Sequence, residues 1–146
     1  MKKRTLIFSL FLVLTLSVSL AYGAEKCPLC GMDILGNENT EFVVEQKKGE
    51  VTSYCCPHCG LWVMSQEGDK VLYAKARDFI SGEWVKAQDA FYVFNSKAVP
   101  ACSPSWIAFE KKAEAEMFQK GFGGTVYSYK DALKKRASMP KDMDTK

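Results

Sequence analysis

The sequence predicts an α+β fold: a small treble-clef-like hairpin unit rich in cysteine, then strands and a β-α-β unit on a small sheet. Three observations carry this. Two knuckles of the form Cys-Pro-x-Cys-Gly, at 27–31 and 56–60, stand either side of two short strand-like runs. The second knuckle passes straight into a helix-forming run that opens on Pro57. Beyond residue 69, aromatic and β-branched runs flank one amphipathic stretch, the order expected of strands around a helix.

The 146-residue chain opens on Lys2, Lys3 and Arg4, followed by an apolar run over 6–20 and the small-residue site Ala21-Tyr22-Gly23. Residues 1–23 therefore read as a cleavable signal peptide, since the apolar run is short for a membrane span. Glu25 and Lys26 precede Cys27, so a lipid-anchored start is not expected. The leader holds three of the 20 basic residues and none of the 17 acidic ones, so the remainder is formally neutral. The basic balance belongs to the leader, and no basic stripe interleaved with aromatics follows it; no nucleic-acid partner is expected. The organisation predicted is a cysteine-rich metal-binding unit at 24–68, a sheet-and-helix unit at 69–138 and a disordered tail at 139–146.

In chain order, the first knuckle leads into a polar loop at 36–40. Residues 41–45 and 50–55 are strands joined by the turn Lys47-Lys48-Gly49. Pro57 suits the first turn of a helix that carries Leu61, Trp62, Val63 and Met64 and ends by Gly68. Residues 71–79, 91–94, 106–109 and 125–129 read as strands, with a turn at Ser81-Gly82 and a two-proline loop at 97–105. Residues 111–122 form an amphipathic helix placing Ala113, Met117 and Phe118 on its core face, stopped by Gly123-Gly124. A short helix at 131–137 closes the fold; its Lys134-Lys135-Arg136 cluster reads as a solvated face.

Cys27 and Cys30, with Cys56 and Cys59, supply four soft ligands from two tight turns, the requirement of a thiolate metal site. Disulfides are the default for an exported chain, but Cys-x-x-Cys pairs staple distant segments poorly. Met32 follows the first knuckle, and its thioether suits Cu(I) better than zinc. Cu(I) is the ion expected, with zinc the alternative at the four-cysteine cluster. In the second cluster Cys55 and Cys56 compete for one position; Cys56 and Cys59 are the ligands expected, with Cys55 spare. Cys102 lies between Pro100 and Pro104 in a loop and reads either as a ligand or as a buried small hydrophobe. His58, the single histidine, is expected to face solvent. One rival reading is a thiol-disulfide oxidoreductase using Cys56-Pro57-His58-Cys59, where a helix start lowers the first thiol's pKa. Another is a structural zinc module, which would unfold on chelation.

Cys27-Pro28-Leu29-Cys30-Gly31-Met32, with Tyr54-Cys55-Cys56 and Cys59, resembles the metal-binding half of YHS and TRASH-type domains. Ala90-Phe91-Tyr92-Val93-Phe94-Asn95-Ser96, Ile107-Ala108-Phe109, Ala115-Glu116-Met117-Phe118 and Gly123-Gly124-Thr125-Val126 extend the resemblance to the NosL family over about 27–133. That resemblance implies β-β-α-β units similar to those of organomercurial lyase. It implies an exported copper-binding accessory protein, a Cu(I) chaperone for nitrous oxide reductase, and no catalysis. Cys30 and Met32 match the family's metal-binding motif. Val99-Pro100-Ala101-Cys102 departs from the Gly-Pro-Met-like loop of many members, and there Cys102 would put a thiolate in place of the thioether. The partner expected is thus an extracytoplasmic copper enzyme or its assembly machinery. No membrane is expected after leader cleavage, and a homodimer sharing a metal is compatible with the pattern.

Overall fold

The computed structural model describes residues 25–141. The predicted leader, and residues 142–146 of the predicted tail, lie outside them. The first hairpin forms where expected: β1 (Phe42–Gln46) pairs antiparallel with β2 (Val51–Tyr54), Phe42 opposite Tyr54 and Glu45 opposite Val51. The other edge of β1 takes β3 (Val71–Arg77), and β3 takes β4 (Trp84–Lys86), giving the antiparallel order β2-β1-β3-β4. β3 lies beyond residue 68, so this sheet draws on both sides of the predicted unit boundary. β4 is too short to announce itself by periodicity. It is held by pairing to β3 and by Trp84, whose ring carries Lys75 and Arg77 over its face at 4.2 and 3.9 Å.

The second sheet holds β5 (Phe91–Phe94) between β6 (Trp106–Phe109) and β7 (Thr125–Ser128), all antiparallel. With helix α2 (Lys112–Phe122) between β6 and β7, the chain traces the expected β-β-α-β unit. Gly123 ends α2 at φ 72°, donating its N–H to the Gln119 carbonyl at 2.7 Å. Helix α3 (Tyr129–Ala137) starts two residues earlier than predicted because Ser128 caps it, its hydroxyl accepting the Asp131 N–H.

Helix α1 (Pro57–Glu67) packs against β1, β6 and α3, so it joins the two sheets. Gly60 makes this approach possible. A Cβ there would lie 2.1 Å from the Phe42 ring, so any side chain would force helix and strand apart. Phe42, Leu61, Tyr92 and Trp106 share one buried core with Cys27, Cys55, Cys56, Cys59 and Cys102. A second core under α2 holds Val93, Ile107, Phe109, Ala115 and Phe118. Two expectations about α2 fail. Its core face runs through Ala115 and Phe118, while Met117 is 70% exposed and Ala113 faces outward. The helix rolls about one position from the predicted stripe, because Phe118 seats between Phe79 and Phe109. Met64 is buried on α1.

Candidate metal centre

Three segments bring cysteines to one place. The first is the knuckle at 27–31. Cys27 N–H donates to the Met32 carbonyl and Gly31 N–H to the Cys27 carbonyl, both at 2.8 Å. Gly31 takes φ 77°, a conformation only glycine adopts without cost. The second is the junction of β2 and α1. Cys56 has extended backbone and caps the helix, its carbonyl accepting the N–H groups of Cys59 and Gly60 at 3.1 Å. Pro57 follows in the first turn, where a missing N–H costs nothing. The Thr40 hydroxyl donates to the Cys55 carbonyl at 2.8 Å and ties the loop before β1 to this second segment. The third is the β5–β6 loop, closed at its base by Ser96 N–H donating to Ser105 Oγ at 2.9 Å and Asn95 N–H donating to the Ser105 carbonyl at 2.8 Å.

The sulfurs of these segments form one cluster. Cys55 Sγ lies 3.4 Å from Cys30, 3.6 Å from Cys102, 3.7 Å from Cys56 and 3.9 Å from Cys59. Cys102 Sγ lies 3.7 Å from Cys30 and 3.8 Å from Cys59. No pair is bonded; all six cysteines are free thiols. Two sets of four can each surround an ion: Cys27, Cys30, Cys55 and Cys59, and Cys55, Cys56, Cys59 and Cys102, with the sulfurs of each set within 4.8 Å of one another. A metal–sulfur bond of about 2.3 Å in a tetrahedron gives a sulfur–sulfur edge of about 3.8 Å, so the spacing fits a thiophilic ion.

Cys55, expected as the spare, sits inside the cluster. It lies within reach of four other sulfurs, and the adjacent Cys56 turns to the same cluster, because both lie in the junction where the chain changes from strand to helix. Cys102 joins them as well. Met32 is half-buried against the main core beside the knuckle it follows.

Crowding moves the thiols in opposite directions. Hydrogen bonds from Cys55 and Cys59 hold Cys27 down to about 2. Burial pushes Cys56 up, but hydrogen bonds from Cys102, Cys55 and Cys59 outweigh it and leave its thiol well below the ordinary range. Cys55 rises, chiefly through Cys102 and Cys27, and so does Cys59. Burial lifts Cys30 to about 11. The sulfurs lie close enough to share hydrogen bonds through their S–H protons. A soft cation would replace those protons.

Two neighbours overturn expectations. His58 is 2% exposed, not solvent-facing. Its Nδ1–H donates to the Pro104 carbonyl at 3.1 Å, pinning the Cys102 loop onto α1, and its Nε2 accepts from Arg136 at 3.2 Å. A carbonyl only accepts and a guanidinium only donates, so the ring is a neutral imidazole; burial also lowers its pKa. The predicted solvated cluster splits likewise. Lys134 is exposed, whereas Arg136 is 0% exposed, and its Nε donates to the His58 carbonyl at 2.9 Å. Arg136 also donates to the carbonyls of Pro140 at 3.0 Å and Lys141 at 3.3 Å, so the first residues of the predicted tail are tied to it. Helical spacing from Ala132 was the signal available for burying Arg136, and its charge hid it.

The NosL family model matches residues 19–136. Among curated proteins, the HTH-type transcriptional repressor CutR of Bacillus subtilis (strain 168) is 28% identical over 121 residues, 82% of this chain and 63% of its own. The chain thus spans less than two thirds of that relative's length. Among solved structures, the crystal structure of the copper chaperone NosL from Shewanella denitrificans superposes with a TM-score of 0.62 at 21% identity. That match covers 73% of this chain and 88% of the other.

Proposed function

The chain belongs to the NosL family, and from that premise we propose that it binds Cu(I) outside the cytoplasm and passes it to a copper enzyme. The resemblance points to nitrous oxide reductase or its assembly machinery as the recipient, and the leader-like residues 1–23 support export. One observation carries the reading: six free thiols from three segments converge on one centre. Such a donor set suits a soft monovalent ion and exceeds what one structural zinc takes.

The predicted ligands Cys27, Cys30, Met32, Cys56, Cys59 and Cys102 are retained, with Cys55 added. Cys30 is half-buried while the other five thiols are buried, which makes it the rim of the centre. An incoming sulfur from the partner would join the ion there before an original ligand leaves. Met32 stands next to this rim and would hold the ion weakly as it moves. The burial of Cys56 and Cys59 speaks against the oxidoreductase reading, since thiol–disulfide exchange needs an accessible attacking sulfur.

Anaerobic competition for Cu(I) against a chromogenic chelator tests the proposal. We expect tight binding, weakened at least ten-fold, about 1.4 kcal/mol, by Cys30→Ser, and less by Met32→Ala. An affinity untouched by Cys30→Ser overturns the assignment of the rim.

A further inference from the structure

We propose that the centre is polynuclear, taking at least two Cu(I) ions with the sulfurs of Cys55 and Cys59 bridging between them. This rests on the Cu(I) reading above and adds to it the number of ions and the roles of individual sulfurs. The geometry points there directly. The two four-sulfur sets share two members, and these are Cys55 and Cys59. One ion in the first set would leave Cys56 and Cys102 without a metal; one ion in the second would leave Cys27 and Cys30.

Either way, two sulfurs beside the ion would stay unused: the buried Cys56 and Cys102, 1% and 3% exposed, or the buried Cys27, 1% exposed, with the half-buried Cys30. Two ions engage both pairs at once. A thiolate sulfur has lone pairs enough to bond two metals, and Cys55 is placed for it, with four sulfurs around it at 3.4–3.9 Å. Cu(I) accepts two or three sulfur ligands, so six sulfurs divide naturally over more than one ion. Loading involves no redox step: copper enters and leaves as Cu(I), and the protons displaced from the thiols pass to solvent.

The set memberships make the test specific. Cys102 belongs to the second set alone, whereas Cys55 belongs to both. The reduced protein is loaded anaerobically with Cu(I) in excess and freed of loosely held metal. The ions retained are counted by native mass spectrometry, and copper X-ray absorption is recorded on the same sample. Two or more ions per chain, with a copper–copper shell in the absorption spectrum, support the proposal. One ion per chain with sulfur neighbours only overturns it and leaves Cu(I) binding intact. No retained copper sinks the Cu(I) reading as well. Cys102→Ser is expected to lower the count by at least one and to keep an ion in the first set. A wild-type count in Cys102→Ser overturns the division into two sets. The wild-type spectrum decides the nuclearity even where a variant fails to fold.

Discussion

Arg136 is a buried cation, and among the described residues no carboxylate stands within ion-pair distance of it. Its hydrogen-bond partners are carbonyls and a neutral imidazole. Burial pulls its pKa down, and the nearby cysteines 59, 56 and 102 push it back up. Anionic sulfur in this cluster would supply its counter-charge, with His58 as the spacer. Arg136→Met removes both a charge and the partner of the buried His58 carbonyl. We expect a loss of about 3 kcal/mol in urea unfolding. We also expect the thiolate absorbance of the reduced protein to appear at higher pH, because a positive charge nearby favours the anion. An unshifted titration would show that Arg136 serves packing alone. The residue scale is also where sequence reading fell shortest. The two knuckles and the helix that follows the second were legible because cysteine spacing and a helix-opening proline are local signals. His58, Arg136 and Cys55 were misjudged because their environment is made by chain 46 to 78 residues away or by a change of backbone between neighbours.

Among the elements, the turn after β3 holds the two sheets together. Asp78 Oδ2 accepts the Ser81 N–H and hydroxyl at 2.7 and 2.6 Å, while Oδ1 accepts the Glu110 N–H from the end of β6 at 2.8 Å. Phe79 N–H adds a bond to the Ala108 carbonyl at 3.0 Å. Burial raises the Asp78 carboxyl, but the Ser81 and Glu110 donors outweigh it, so its folded pKa lies below the usual value. Its contribution is complete above the unfolded carboxyl's pKa of about 4 and is lost as pH falls through the folded one. We expect Asp78→Asn to lower the stability of the metal-free protein by about 2 kcal/mol at neutral pH. The gap to wild type should narrow in acid. A gap independent of pH would show that the carboxylate charge plays no part. The strands and helices of both sheets were legible from composition and turn residues, save β4. The pairing of β1 with β3 was not, since nothing local distinguishes one edge of a hairpin from the other.

At the scale of the whole molecule, the sulfur cluster gathers distant segments that an ion would cross-link. Cys30 and Cys102 stand 72 positions apart yet 3.7 Å between sulfurs, and Cys59 and Cys102 are 43 apart. Only the folded chain brings these groups together, so under the proposed function Cu(I) would bind the native state and stabilise it by mass action. The gain is about 4 kcal/mol when free Cu(I) exceeds Kd by about a thousand-fold. The main core holds the large apolar side chains of Phe42, Leu61, Tyr92 and Trp106 besides the cysteines, whereas a structural zinc module relies on its metal to fold. We therefore expect copper removal by a Cu(I) chelator to lower the thermal midpoint and leave a cooperative unfolding transition. Hydrogen exchange on the loaded protein should slow in the knuckle at 27–31, the α1 start and the β5–β6 loop together, since one centre closes all three. Slowing confined to a single segment would mean that the ion is held by that segment alone. Collapse of the transition on chelation would mean that the fold depends on metal after all.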